Sequence, residues 1–327
     1  MSATWGDPLD AVDGRRPVHL AVTIVLLALA LAGAGVALGW FAGEHTARDA
    51  AALVVTGLRT AGVVTACGAV GSLVVAALVL PPGSAEHLVA HHARAAVVWS
   101  VAWAAVSVLW AGAVLASAGA GAGVVHGPPG EDAAVVATVA RTAVVTAWAA
   151  SVVAVLARTS SRRVLRVALL VALGGVAGMV LSGHSVHADD RAAAVVSMLL
   201  HVAAVTAWVG GLLALALQPG RVPEGQLRRF GVLALVCFGV VGLSGGMNLV
   251  ARTGLEQLAG SGAYLWLLLA KVVSYALLGA AGAVHRAWTV RRLHAGRPRA
   301  FLLVVVAELL LMATAAGFAV VLAASGA

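Results

Sequence analysis

Runs of roughly 20 apolar residues recur along the whole chain, and this recurrence limits its fold more than any other feature. At 1.5 Å per residue, a helix of that length crosses the roughly 30 Å hydrocarbon core of a bilayer. In hydrocarbon every backbone N–H and C=O must be bonded within its own helix or within a closed barrel. Barrel strands are about ten residues long and alternate in polarity. The runs here are about twice as long and do not alternate. The fold class is therefore all-α, a polytopic transmembrane helical bundle. The composition agrees: 61% of the 327 residues are hydrophobic and only 10% are charged, which rules out an ordinary soluble globule.

The runs define about nine transmembrane helices, at residues 19–42, 52–80, 96–118, 133–157, 164–182, 192–217, 230–251, 263–284 and 301–323. An odd number puts the termini on opposite sides. Arginine-rich connections ("GRR", "RTSSRR", "GRVPEGQLRR" and "HRAWTVRRLHAGRPR") fall on one side, which the positive-inside rule makes the cytoplasm. The alternate connections ("AGEHTARDA", "GAGAGVVHGPPGED", "SGHSVHADDR" and "ARTGLEQLAGSG") are acidic or sparsely charged. The N-terminus is expected to be cytoplasmic and the C-terminus extracytoplasmic. "PPGSAEHLVAHHARA" is read as a connection between the second and third spans, and fits the alternation least well. The polar start, with Asp7, Asp10 and Asp13, makes a poor signal peptide, so the first span is expected to be retained. "SSRRVLR" divides an N-terminal membrane region, residues 1–160, from a second region, residues 161–327, that carries far more polar groups inside its spans. The net charge of +8 lies in short loops, not along one face, so topology accounts for it and nucleic acid is not an expected partner. Cys67 and Cys237 both fall inside spans, which leaves no disulfide framework and no paired-cysteine metal motif.

Ionisable groups within a span are costly and tend to mark function. Three stand out: His201, Glu308 and Lys271, the last being the only lysine in the chain. In the orientation above, His201 and Lys271 both lie roughly 12 to 14 Å below the outer interface, whereas Glu308 is about 10 Å in from the cytoplasmic side. Lys271 is too deep to reach the surface with its side chain. Two roles are open to it: a structural charge paired with Glu308, or a group that organises a site.

Sulfur and imidazole are unevenly distributed. Met179, Met198 and Met247 sit in the outer parts of spans five, six and seven, with His184, His187 and His201 around them. Met198 and His201 are three residues apart, hence on one helix face, and Ser197, Val205 and Trp208 continue that side. Met247 and Ser244 have the same spacing, with Asn248 adjacent. His184 and His187 precede Asp189 and Asp190 at the outer mouth. A membrane methionine is ordinarily core filler. Thioethers with imidazole nevertheless favour Cu(I), and imidazole with carboxylate suits Cu(II), so a graded set from mouth to interior reads as a copper path.

The segments "LLHVAAVTAWVGGLLALAL", "RRFGVLALVCFGVVGLSGGMNLVARTG", "YLWLLLAKVVSYALLGAAGAVHR" and "AELLLMATAAGFAVVLA" together resemble the copper resistance protein D (CopD) family of bacterial inner-membrane proteins. The resemblance spans about residues 180–325; the first four spans share only general character. It implies copper passage across the bacterial cytoplasmic membrane, usually inward, from a periplasmic or extracytoplasmic copper-binding protein. Lys271 then matches the family's lysine, and Lys271, Asn248, Glu308 and Trp208 read as residues that surround and orient the ligands. Unlike some members of that family, the chain is expected to carry neither a fused soluble copper-binding domain nor a methionine-rich external loop. Two other readings stand beside transport. One is an assembly factor that hands copper to an oxidase. The other is a b-type haem carrier, which needs two facing histidines, whereas His201 is the only histidine well inside a span. No nucleophile–base set or nucleotide-binding loop suggests an enzyme.

Overall fold

The computed structural model describes residues 50–119, 132–181, 191–220, 222–252 and 262–284. These form seven helices, which we number α1 (Ala50–Val74), α2 (Glu86–Gly119), α3 (Asp132–Leu156), α4 (Arg162–Leu181), α5 (Arg191–Ala216), α6 (Glu224–Arg252) and α7 (Gly262–Val284). The described residues contain no strand. Each helix coincides with one expected span. The expected spans 19–42 and 301–323 lie outside the described residues, as do both termini. Among the described residues, five stretches are long and apolar enough to cross a membrane: Gly57–Val79, Glu86–Ala116, Val136–Leu156, Ala192–Ala216 and Glu224–Met247.

Helix α1 is the hub. It packs against α2, α4 and α5, while α3 bridges α2 and α4, and α6 lies along the far side of α5. The division read at residue 160 falls in the turn between α3 and α4, and packing crosses it, since α4 and α5 both lie against α1. The core is built largely from Ala, Val and Leu of α1, α2, α4 and α5, with Trp103 fully buried among them. Large apolar side chains such as Val98, Val144, Trp148, Leu170 and Leu243 point outward, each more than half exposed. That surface suits lipid tails.

Small residues bring α1 and α5 into backbone contact. A Cβ on Gly71 would lie 1.9 Å from the Gly210 carbonyl carbon, and one on Gly210 would lie 2.0 Å from the Cys67 oxygen. Only glycine allows this approach. Hydroxyls in the helices bond to their own backbone: Thr65 to the Ala61 carbonyl, Ser72 to Gly68, Ser107 to Trp103, Thr146 to Thr142 and Thr206 to Val202, at 2.7–2.9 Å.

α1 continues into a π-helical turn, Val75–Val79, and stops at Leu80, where the chain turns extended ahead of Pro81 and Pro82. Arg162 at the start of α4 holds this end, donating from one guanidinium nitrogen to the Leu80 carbonyl at 2.8 Å and from the other to the Pro81 carbonyl at 2.6 Å. It thereby pins the extended turn after α1 to the start of α4, at a Pro81 carbonyl that Ser84 also donates to. Arg162→Ala should cost about 1.5–3 kcal/mol in thermal unfolding, the range for hydrogen bonds to a charged group. Arg162→Lys should recover only part of this, because a point charge cannot span both acceptors.

Two helices start earlier than the sequence suggested. α2 begins at Glu86, so most of "PPGSAEHLVAHHARA" is helix and the connection shrinks to residues 80–85. Its apolar spacing continues through Val89, Ala93 and Ala96, all buried, and Glu86 in the first turn complements the helix dipole. α6 begins at Glu224, inside the arginine-rich connection; the Pro223 carbonyl accepts from the Gln226 and Leu227 amides at 3.0 and 3.1 Å.

Candidate functional site

α5 and α6 run antiparallel, and the buried positions on α6 form one stripe: Gln226, Phe230, Cys237 and Ser244. Spacings of four, seven and seven residues keep them on one face. Facing them from α5 are Gln218 just past its end, then Gly211, whose missing side chain leaves room for the Phe230 ring, and His201 beside Ser244. Both cysteines are free and buried, as expected of thiols inside spans.

Towards the far end of this seam, His201 Nδ1 lies 3.0 Å from the Ser244 hydroxyl, and the Ser197 hydroxyl donates to the Ser244 carbonyl at 3.1 Å. Ser244 Oγ itself donates to the Val240 carbonyl at 2.5 Å. A hydroxyl has one proton, so with that proton committed Ser244 accepts from His201. The tautomer with the proton on Nδ1 is the one that satisfies both contacts of the Ser244 hydroxyl. A neutral histidine whose Nδ1–H is fixed by a partner is the form that coordinates a metal through Nε2.

The other expected residues are placed as follows. Met198, one turn from His201 on α5, and Met179, in the last turns of α4, are both half-buried, and Met179 packs against the core. Met247 is on the rim: it is 55% exposed and near Leu243, which is 75% exposed. Trp208 is buried and meets Phe238 edge-on at 5.8 Å, and Phe238 stacks on Tyr275 of α7 at 4.2 Å. The Tyr275 hydroxyl donates to the Phe238 carbonyl at 2.6 Å. This aromatic ladder ties α5, α6 and α7 together. Lys271 lies one turn beyond Tyr275 along α7, and Asn248 one turn beyond Ser244 along α6. The side chains of Lys271 and Asn248, and all of His184, His187 and Glu308, lie outside the described residues. Among the described residues no three His, Cys, Asp or Glu side chains converge as a metal cage.

One cluster escaped the sequence reading. At the near end of the seam, His92 of α2, Gln218 and Gln226 are 1%, 5% and 0% exposed. Gln226 Nε2 donates to Gln218 Oε1 at 2.7 Å, Gln218 Nε2 returns a bond to Gln226 Oε1 at 3.3 Å, and His92 Nε2 lies 3.0 Å from Gln218 Oε1. His92 had been placed in a connection, and the two glutamines attract no notice in sequence. The available signal was the apolar spacing that carries α2 back through His92.

These features define a class: a multi-pass membrane protein, helical throughout its described residues, with a hydrogen-bonded histidine between two of its helices. Residues 224–322 match the model of the copper resistance protein D family, which bears out the resemblance over α6, α7 and the chain beyond them. No curated protein and no solved structure matches the chain.

Proposed function

We propose that the protein binds copper and passes it across the bacterial cytoplasmic membrane, most simply inward from an extracytoplasmic copper-binding protein. The observation that carries this reading is the His201–Ser244 pair, which holds an imidazole at a fixed orientation between two helices of the bundle. The family match from Glu224 onward supports copper as the metal.

In this reading copper is cargo. His184 and His187 receive it at the extracytoplasmic mouth, Met179, Met198 and the rim residue Met247 offer thioethers along the way, and His201 is the deepest ligand. Thioether and neutral imidazole favour Cu(I) on the inner part of the path, while the histidines and aspartates of the mouth also accept Cu(II). Ser244 holds the ring, with Trp208, Lys271, Asn248 and Glu308 as further orienting groups.

The test is Cu(I) binding to purified protein. His201→Ala/Met198→Ala is expected to weaken binding at least about tenfold, and Ser244→Ala, which frees the imidazole to change tautomer, by a similar factor. Equal stoichiometry and affinity in the wild type and the double variant would remove His201 from the path.

A further inference from the structure

The two polar clusters of the α5–α6 seam sit at its opposite ends. Gln226 and Ser244 are 18 residues apart on α6, which is about 27 Å at helical rise, close to the thickness of a hydrocarbon core. Between them the seam is closed by apolar side chains, with Leu212, Leu215 and Phe230 all buried. The end near Gln226 differs from the His201 end in chemistry. Both lone pairs of Gln218 Oε1 are used, one by Gln226 and one by the Nε2–H of His92, and the Gln218–Gln226 amides bond each other reciprocally. His92 thus has its proton on Nε2, the opposite tautomer from His201. His92 Nε2 and the paired amides of Gln218 and Gln226 are engaged with one another, which suits a closure.

The placement points the same way. His92 belongs to α2, Gln218 ends α5 and Gln226 opens α6. The network therefore fastens the first turn of the family-matched segment to a helix well outside it. A buried hydrogen-bonded network of this kind is strong while complete and costly to leave half-made, so it holds this end in one arrangement and opens as a unit.

We propose that His92, Gln218 and Gln226 form a latch that shuts the near end of the α5–α6 seam and releases when the seam opens for passage. The proposal rests on the transport reading only for what passes; closure itself is tested without copper. The probe is the thiol introduced by Leu215→Cys, one layer inside the latch, in a Cys237→Ser background with native Cys67 as internal reference. N-ethylmaleimide labelling of both thiols is followed in detergent. With the latch intact, the thiol at 215 should react slowly. Gln226→Leu and His92→Leu should each speed its labelling about tenfold with Cys67 unchanged, as expected when a local opening loses a buried hydrogen bond. His92→Gln, which keeps an amide donor for Gln218, should stay near the intact rate. Unchanged labelling in folded Leu variants overturns the latch. So does equal acceleration at Cys67, which would report general loosening.

Discussion

Gly210→Ala is expected to destabilise the bundle by about 3 kcal/mol, at the upper end of the cost of overpacking. The added methyl would overlap the Cys67 carbonyl, and a backbone atom cannot rotate away as a side chain can. Relief requires α1 and α5 to separate, and α1 is the helix on which α2, α4 and α5 all pack. Gly71→Ala should behave alike, since its methyl would meet the Gly210 carbonyl from the other side. Gly112→Ala and Gly174→Ala, where nothing lies within 4 Å, should be neutral or slightly stabilising, because alanine is the better helix former. Equilibrium unfolding in mixed micelles measures all four. If Gly210→Ala unfolds with Gly112→Ala, the close α1–α5 contact is not what holds the centre.

Lys271→Met is expected to lower copper uptake into proteoliposomes by about 10- to 100-fold while leaving a folded protein. The Trp208–Phe238–Tyr275 ladder fixes α7 against α6 one turn from Lys271, which puts the lysine backbone towards the level of Ser244 and its partner His201. A charge at that level can orient ligands without being one. If Lys271 only balanced Glu308, removing one partner would destabilise the bundle and removing both would restore it. The deciding protein is therefore Lys271→Met/Glu308→Gln, measured for thermal stability and for uptake together. Persistently low uptake in a stable double variant supports the organising role; recovery of both assigns the lysine to architecture.

What the sequence made legible was set by chemistry that works within one helix. Seven expected spans match helices because span length and apolarity are local properties. Rise and topology put His201 and Lys271 at one depth. The bond between His201 and Ser244 could not be read, since it depends on how α5 and α6 rotate about their axes. Rotation also explains Met247: three residues from Ser244 shares a face only within about 60°, enough to turn one side chain inward and leave the other on the rim. The early starts of α2 and α6 were hidden because His92 and Gln226 look like interface residues until their common partner, Gln218, is known. His92 and Gln218 are 126 residues apart, and nothing in either segment announces the other.

The hydroxyls that bond within their own helices bear on how such a chain is made. α1 is synthesised long before α5, the neighbour whose glycines it meets backbone to backbone. During that interval it faces lipid on sides that will later be enclosed. Thr65 and Ser72 need no partner from another helix while they wait, because Ala61 and Gly68 accept their protons from the moment α1 forms. Thr146 and Thr206 do the same for α3 and α5. Each span can therefore enter the bilayer as a finished unit, and assembly becomes a matter of bringing completed helices side by side. Among the described residues, bonds that cross between elements, such as those of His92, Arg162, Ser197, His201, Gln226 and Tyr275, can be made only once the helices meet.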